Sequence, residues 1–96
     1  MDYFRYKDGE LYCEGVNVNE LAKKVSTPFY LYSQQTIQNH YKGLSESFSD
    51  LKPLVCYSIK NCSNLHIWKL LSEMGAGMDV VSGGELFRAI EAGVNP

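Results

Sequence analysis

No apolar stretch in this chain comes near the roughly 18 residues that a membrane-spanning helix requires. The N-terminus, Met1-Asp2-Tyr3-Phe4-Arg5, holds no apolar h-region, so no signal peptide is visible. Cysteine is sparse and odd in number. Cys13, Cys56 and Cys62 show no CxxC spacing, which argues against a disulfide framework or a zinc site. His40 and His66 lie far apart, and no metal constellation is visible. No run of like charge reads as a tail, and a net charge of -2 leaves no basic footprint for nucleic acid. Internal repeats and low-complexity segments are missing too. What remains is an ordinary globular composition, 45% hydrophobic and 21% charged, in 96 residues, enough for one small domain at most. The cysteine usage and the missing signal point to a reducing cytoplasm.

Residues 3–18 read as short extended segments, with Asp8-Gly9 between two of them as a hairpin signal. Asn19 is the expected N-cap of a short helix from Glu20 to about Val25, ended by Ser26-Thr27-Pro28. Phe29-Tyr30-Leu31-Tyr32 reads as a compact aromatic strand, its rings used for packing rather than for a ligand. Ser33 can cap a helix from Gln34 to Phe48, whose positions Ile37, Tyr41, Leu44 and Phe48 mark one face. Leu54 to Ile59 is a nearly continuous apolar run, suited to a strand covered on both faces. Asn64 is the expected cap of a helix from Leu65 to about Met74, with Ile67, Leu70, Leu71 and Met74 inward and Gly75-Ala76-Gly77 as its C-cap and loop. A short strand, Met78 to Val81, and a helix from Glu85 to about Ala92 follow, with Leu86, Ala89 and Ile90 inward. Strand, helix, strand, helix is the beginning of an α/β domain. Two strands cannot close a barrel, which needs eight, so the chain reads as truncated.

One lysine stands out. Lys60 follows Tyr57-Ser58-Ile59 at the C-terminal end of the apolar run, where barrel enzymes place catalytic groups. Partial desolvation there is expected to favour a neutral amine, able to attack an aldehyde. A solvated strand-end lysine is the ordinary alternative.

Tyr57-Ser58-Ile59-Lys60 followed by Asn61-Cys62 resembles the Tyr/Phe-Ala-x-Lys-Ala-Asn signature of the fold-type III decarboxylases that use pyridoxal 5'-phosphate (PLP). That group includes diaminopimelate, ornithine and biosynthetic arginine decarboxylases. Gly77-Met78-Asp79-Val80-Val81-Ser82-Gly83-Gly84-Glu85-Leu86 is similar to the Gly-x-Asp-Val-x-Ser-Gly-Gly-Glu-Leu segment of the same family. Asp8-Gly9-Glu10-Leu11 and Thr27-Pro28-Phe29-Tyr30-Leu31-Tyr32 resemble the opening of its diaminopimelate branch. Ser58 and Asn61 replace the commoner alanines, and Cys62 a common asparagine.

The resemblance implies the start of a (β/α)8 alanine-racemase-like barrel, preceded by strands that belong to a separate β domain. Residues 1–32 would be those strands with a short helix, and 33–96 the linking helix and first strand-helix units of the PLP-binding barrel. It implies that Lys60 carries the cofactor, that the carboxylate of Asp79 approaches that lysine and favours its protonated form, and that Glu85 lies near the site. Glu85 is equally well explained as a helix N-terminal carboxylate. Ser82-Gly83-Gly84 looks like a phosphate cradle, but the family holds its phosphate on a later loop, and the glycines read as a tight turn. The implied reaction is decarboxylation of meso-2,6-diaminopimelate to L-lysine by a homodimer. The rivals are another decarboxylase of this fold, acting on ornithine, arginine or a related amino acid, and an inactive truncated fragment.

Overall fold

The computed structural model describes residues 2–96. They divide into two compact units, one ending at Lys42 and one spanning Gly43–Pro96.

In the first unit β1 (Phe4–Lys7), β2 (Glu10–Cys13) and β3 (Val16–Asn17) form an antiparallel sheet in that order. The β1–β2 register pairs Lys7 with Glu10, so the loop is Asp8-Gly9 alone. Asp8 at φ 52 and Gly9 at φ 79 are both left-handed, the requirement of a two-residue turn matching strand twist. Helix α1 (Val18–Val25) begins earlier than the sequence suggests. Its N-cap is Asn17, not Asn19, and the Asn17 side chain accepts hydrogen bonds from the amides of Asn19 and Glu20. Both asparagines suit a cap. Asn17 takes it because β3 ends there and already holds it extended.

Helix α2 (Gln34–Ser47) starts as expected behind Ser33, whose Oγ accepts from the Thr36 amide at 3.1 Å. A distant residue completes the cap: Glu14 Oε1 accepts from Ser33 Oγ and from the Gln35 amide, both at 2.9 Å. Phe29 to Tyr32 is not a strand. Among the described residues no strand pairs with its backbone, and aromatic propensity cannot replace a ladder. Tyr30 is 90% exposed and stacks on Tyr32, ring centroids 6.5 Å apart.

The second unit has β4 (Cys56–Ser58), α3 (Leu65–Glu73), β5 (Gly77–Asp79) and α4 (Gly83–Glu91), with β4 and β5 parallel. Both strands are shorter than their apolar runs. Leu54 is 73% exposed, and Ile59 already opens a 3-10 turn to Asn61. An apolar run reports suitability for burial, but a strand ends where its ladder ends.

Both helices finish on the same hydrogen-bond pattern. The amides of Gly75 and Ala76 reach back to the carbonyls of Ser72 and Leu71, and those of Gly93 and Val94 to Ile90 and Ala89. Gly75 and Gly93 stand at φ 99 and 89, as this cap requires.

The core of this unit is Ile59, Trp68, Ala89 and Ala92, with Tyr57, Leu65, Met78, Val80 and Val94 packed around it. Leu70 and Met74 are only half-buried. Trp68, 1% exposed, takes the central place. Leu86 and Ile90 are exposed rather than inward. With Leu54, Cys56, Met78 and Val94 they line an open apolar groove.

Among the described residues no helix is long and apolar enough to cross a membrane, and no group of three or more His, Cys, Asp and Glu side chains could hold a metal ion.

Candidate cofactor site at the strand ends

The site is built by strand alternation. Cys56 pairs with Gly77, Tyr57 with Met78, and Ser58 with Asp79. Tyr57 and Met78 pack on the helix-side core, so Cys56, Ser58, Gly77 and Asp79 face the other way. A Cβ on Gly77 would sit 2.9 Å from Cys56 Sγ and 3.8 Å from Leu54 Cδ1, which places those residues on one face and means that a larger residue at 77 would push the Cys56 thiol aside.

Asp79 is the last residue of β5. Lys60 lies just beyond β4, in the 3-10 turn Ile59–Asn61. Parallel strands put both at the same sheet end. Both side chains are exposed, and no ion pair joins them among the described residues. The expected partial desolvation of Lys60 is not realised by these 96 residues. Two strands and two helices cover one face of the sheet and leave the other open.

Ser58 shares that open face, and its Oγ is buried with no hydrogen-bond partner. Buried hydroxyls are ordinarily satisfied, so this one is available to a group these residues do not supply. Tyr57, behind the sheet, has its phenol pushed up by burial and by neighbouring Cys62.

Glu85 caps its own helix. Its Oε2 accepts from the Val81 amide at 2.8 Å, while Ser82 Oγ accepts from the Glu85 amide at 3.1 Å. This reciprocal cap starts α4 at Gly83, two residues before the expected Glu85. Gly83 and Gly84 are therefore helical residues with no left-handed φ, not a strained turn. A carboxylate on this helix end disfavours an anion there, which supports setting aside Ser82-Gly83-Gly84 as a phosphate cradle.

The three cysteines form no disulfide. Cys56 is exposed on the site face, and Cys62 follows the turn that holds Lys60. His66 is an exposed residue of α3. Motif and strand reasoning do not reach Trp68 and Arg88, which bind the segment after Lys60. Trp68 Nε1 donates to the Cys62 carbonyl at 2.6 Å and Arg88 to the Ser63 carbonyl at 2.8 Å. The available signal is the lone tryptophan of the chain in the first helix after the lysine.

A primary amine, a carboxylate on the adjoining strand end and an unpartnered hydroxyl on the same face make a donor set that fits the aldehyde end of a pyridoxal cofactor. Residues 34–96 match the family described as "Pyridoxal-dependent decarboxylase, pyridoxal binding domain", and the chain belongs to that family, whose cofactor is PLP. Diaminopimelate decarboxylase of Aquifex aeolicus is 47% identical over 94 residues, 98% of this chain and 22% of that protein. Its Pseudomonas aeruginosa counterpart is 41% identical over 96 residues, all of this chain and 23% of that protein. The crystal structure of the M. jannaschii diaminopimelate decarboxylase in co-complex with L-lysine superposes with a TM-score of 0.90 at 36% identity, covering 97% of this chain and 23% of that one. The chain thus spans less than a quarter of the length of these relatives.

Proposed function

We propose that the chain is the N-terminal part of an enzyme that decarboxylates meso-2,6-diaminopimelate to L-lysine. The observation that carries this is the agreement of relatives across nearly the whole chain: those at 41% and 47% identity are named diaminopimelate decarboxylases, and a 36% identical structure of that name holds L-lysine. In this reading the second unit opens a (β/α)8 barrel, and the strands before residue 33 join a β domain completed by later sequence. The enzyme is a cytoplasmic homodimer.

Lys60 would hold PLP through its side-chain nitrogen. The lysine would serve as the attachment point of the cofactor, and its exposure leaves the side-chain nitrogen accessible. Asp79 sets negative charge at the same strand end, where it steadies a cationic nitrogen. Glu85 serves the cofactor indirectly, by fixing the turn that follows Asp79. PLP, when bound, supplies an electron sink for the carbon that loses carboxylate.

The test uses the full-length gene product. Borohydride reduction of the PLP-loaded protein followed by peptide mapping is expected to label Lys60. Carbon dioxide release is expected from meso-diaminopimelate, with ornithine and arginine roughly 10,000-fold poorer, the discrimination a site gains by pairing a polar substrate group. A label on Lys23, Lys24 or Lys69 would overturn the lysine assignment, and preference for ornithine or arginine would overturn the substrate.

A further inference from the structure

We propose that Trp68 and Arg88 are positioning residues for Lys60: together they lock the peptide segment that follows the lysine, one from each helix of the second unit. The inference rests on the reading of Lys60 as the cofactor lysine and adds the device that holds it.

Between the end of β4 and the start of α3 the chain leaves the sheet ladder. Lys60 sits inside this stretch, in a single 3-10 turn closed by the Cys62 amide on the Ile59 carbonyl at 3.3 Å. One turn of this kind has little rigidity of its own. The next two carbonyls are each claimed by a side chain from elsewhere. Trp68 Nε1 of α3 donates to Cys62 at 2.6 Å, and the Arg88 guanidinium of α4 donates to Ser63 at 2.8 Å. Asn64 then caps α3 through the His66 amide.

The two donors are fixed on each other. The Arg88 guanidinium carbon lies 5.5 Å from the Trp68 ring centroid, within the range of a cation–π contact. Trp68 is itself fully buried in the cluster that contains Ile59, the residue before Lys60. One side chain therefore serves both flanks of the lysine: it shares the buried cluster with Ile59, and its Nε1 donates to Cys62. Arg88 extends the grip by one residue.

The chemistry gives this a purpose. A lysine that must release a cofactor and recapture it needs a mobile side chain on an immobile backbone, because the bonding geometry tolerates errors of only about half an ångström. Lys60 has both parts, an exposed side chain and a backbone anchored by buried Ile59 before it and by the bonded carbonyls of Cys62 and Ser63 after it.

The experiment compares the full-length PLP-loaded protein with Trp68→Phe, Arg88→Ala and Arg88→Lys. Borohydride mapping of the parent comes first. A label on another lysine there overturns the Lys60 reading, and this inference with it. With the label on Lys60, PLP affinity and the pH midpoint of the visible absorption of lysine-bound PLP are measured, alongside the melting temperature of the cofactor-free protein. Arg88→Ala is expected to weaken PLP binding about tenfold, the effect of losing one charge-assisted hydrogen bond, and to move the pH midpoint. Arg88→Lys keeps a cation and a donor and is expected to restore at least half of the loss. Trp68→Phe keeps an aromatic ring but loses the N–H and part of the buried indole, so its melting temperature is expected to fall as well, with about a fivefold loss of affinity beyond what that destabilisation accounts for. A purely structural role predicts something else: an unmoved pH midpoint and an affinity that only tracks the melting temperature. That outcome, or affinities within twofold of the parent, would overturn the proposal.

Discussion

Ser58 carries a buried hydroxyl that none of the described residues satisfies. A buried polar group without a partner costs roughly 1–3 kcal/mol, and alanine is the residue its motif more commonly holds. Ser58→Ala in the full-length, cofactor-free protein is therefore expected to raise stability by about 1 kcal/mol, read from denaturant unfolding. A drop of that size would show that the hydroxyl has found a partner in the longer chain. Cys13, on β2, is a second buried group with a consequence. Burial pushes its thiol above the ordinary value of 9.0, with the carboxylates of Glu14 and Asp2 adding to the effect. A raised value means that the fold favours the neutral thiol. Its stabilising contribution is whole below pH 9.0 and is lost as pH rises through the higher folded value. In the folded full-length protein, alkylation followed by mass mapping from pH 7 to 10.5 is expected to modify Cys13 much more slowly than the same thiol in the denatured protein. Equal rates at pH 8 would contradict this.

The helices and turns show how far local chemistry reaches. Asp8-Gly9, Asn64 and Ser33 do what their residue types suggest, because a turn or cap is decided within four residues. Gly93 is the clearest case. It stands at φ 89, and a Cβ there would meet no atom within 4 Å. The cost of substitution is therefore conformational, not steric. Gly93→Ala is expected to destabilise the full-length protein by about 1 kcal/mol, and Gly93→Asn by less, since asparagine tolerates the left-handed region. Thermal unfolding of the two variants checks the order, and an alanine variant as stable as the parent would contradict it. Elements that need a distant partner behave differently. Glu14 caps α2 from a turn between strands, about twenty residues away in sequence. Nothing in the local pattern around Ser33 announces it. The aromatic run from Phe29 fails as a strand for the complementary reason, since no ladder meets it.

Taken whole, the chain exposes apolar surface that a finished domain would cover. Leu54, Leu86 and Ile90 line an open groove, and Val81 and Phe87 are exposed as well. The β4–β5 pair has two open edges. Residues 1–96 expressed alone are expected to aggregate or melt without cooperativity, and to bind PLP neither tightly nor stoichiometrically. Ordering costs about 1–2 kcal/mol per backbone residue, and the burial available here is small. A PLP titration followed by visible absorbance, run beside thermal unfolding, checks this. A cooperative melt with saturable labelling of Lys60 would show a self-sufficient cofactor domain instead.

The family and its cofactor were legible in the amino-acid order, because Tyr57 to Cys62 and Gly77 to Leu86 are short contiguous motifs whose meaning does not depend on distant contacts. So was the strand-helix-strand-helix succession, which follows from periodicity and caps. Folding settled what depends on partners brought from elsewhere. Ser58 meets Asp79 only through the register of two strands. Glu85 turns to the Val81 amide because α4 begins at Gly83. Trp68 and Arg88 come together on the carbonyls after Lys60 from two different helices. Periodicity says that a side chain turns inward or outward. Which carbonyl or carboxylate it meets is fixed by packing between elements, whose distances no spacing along the chain encodes.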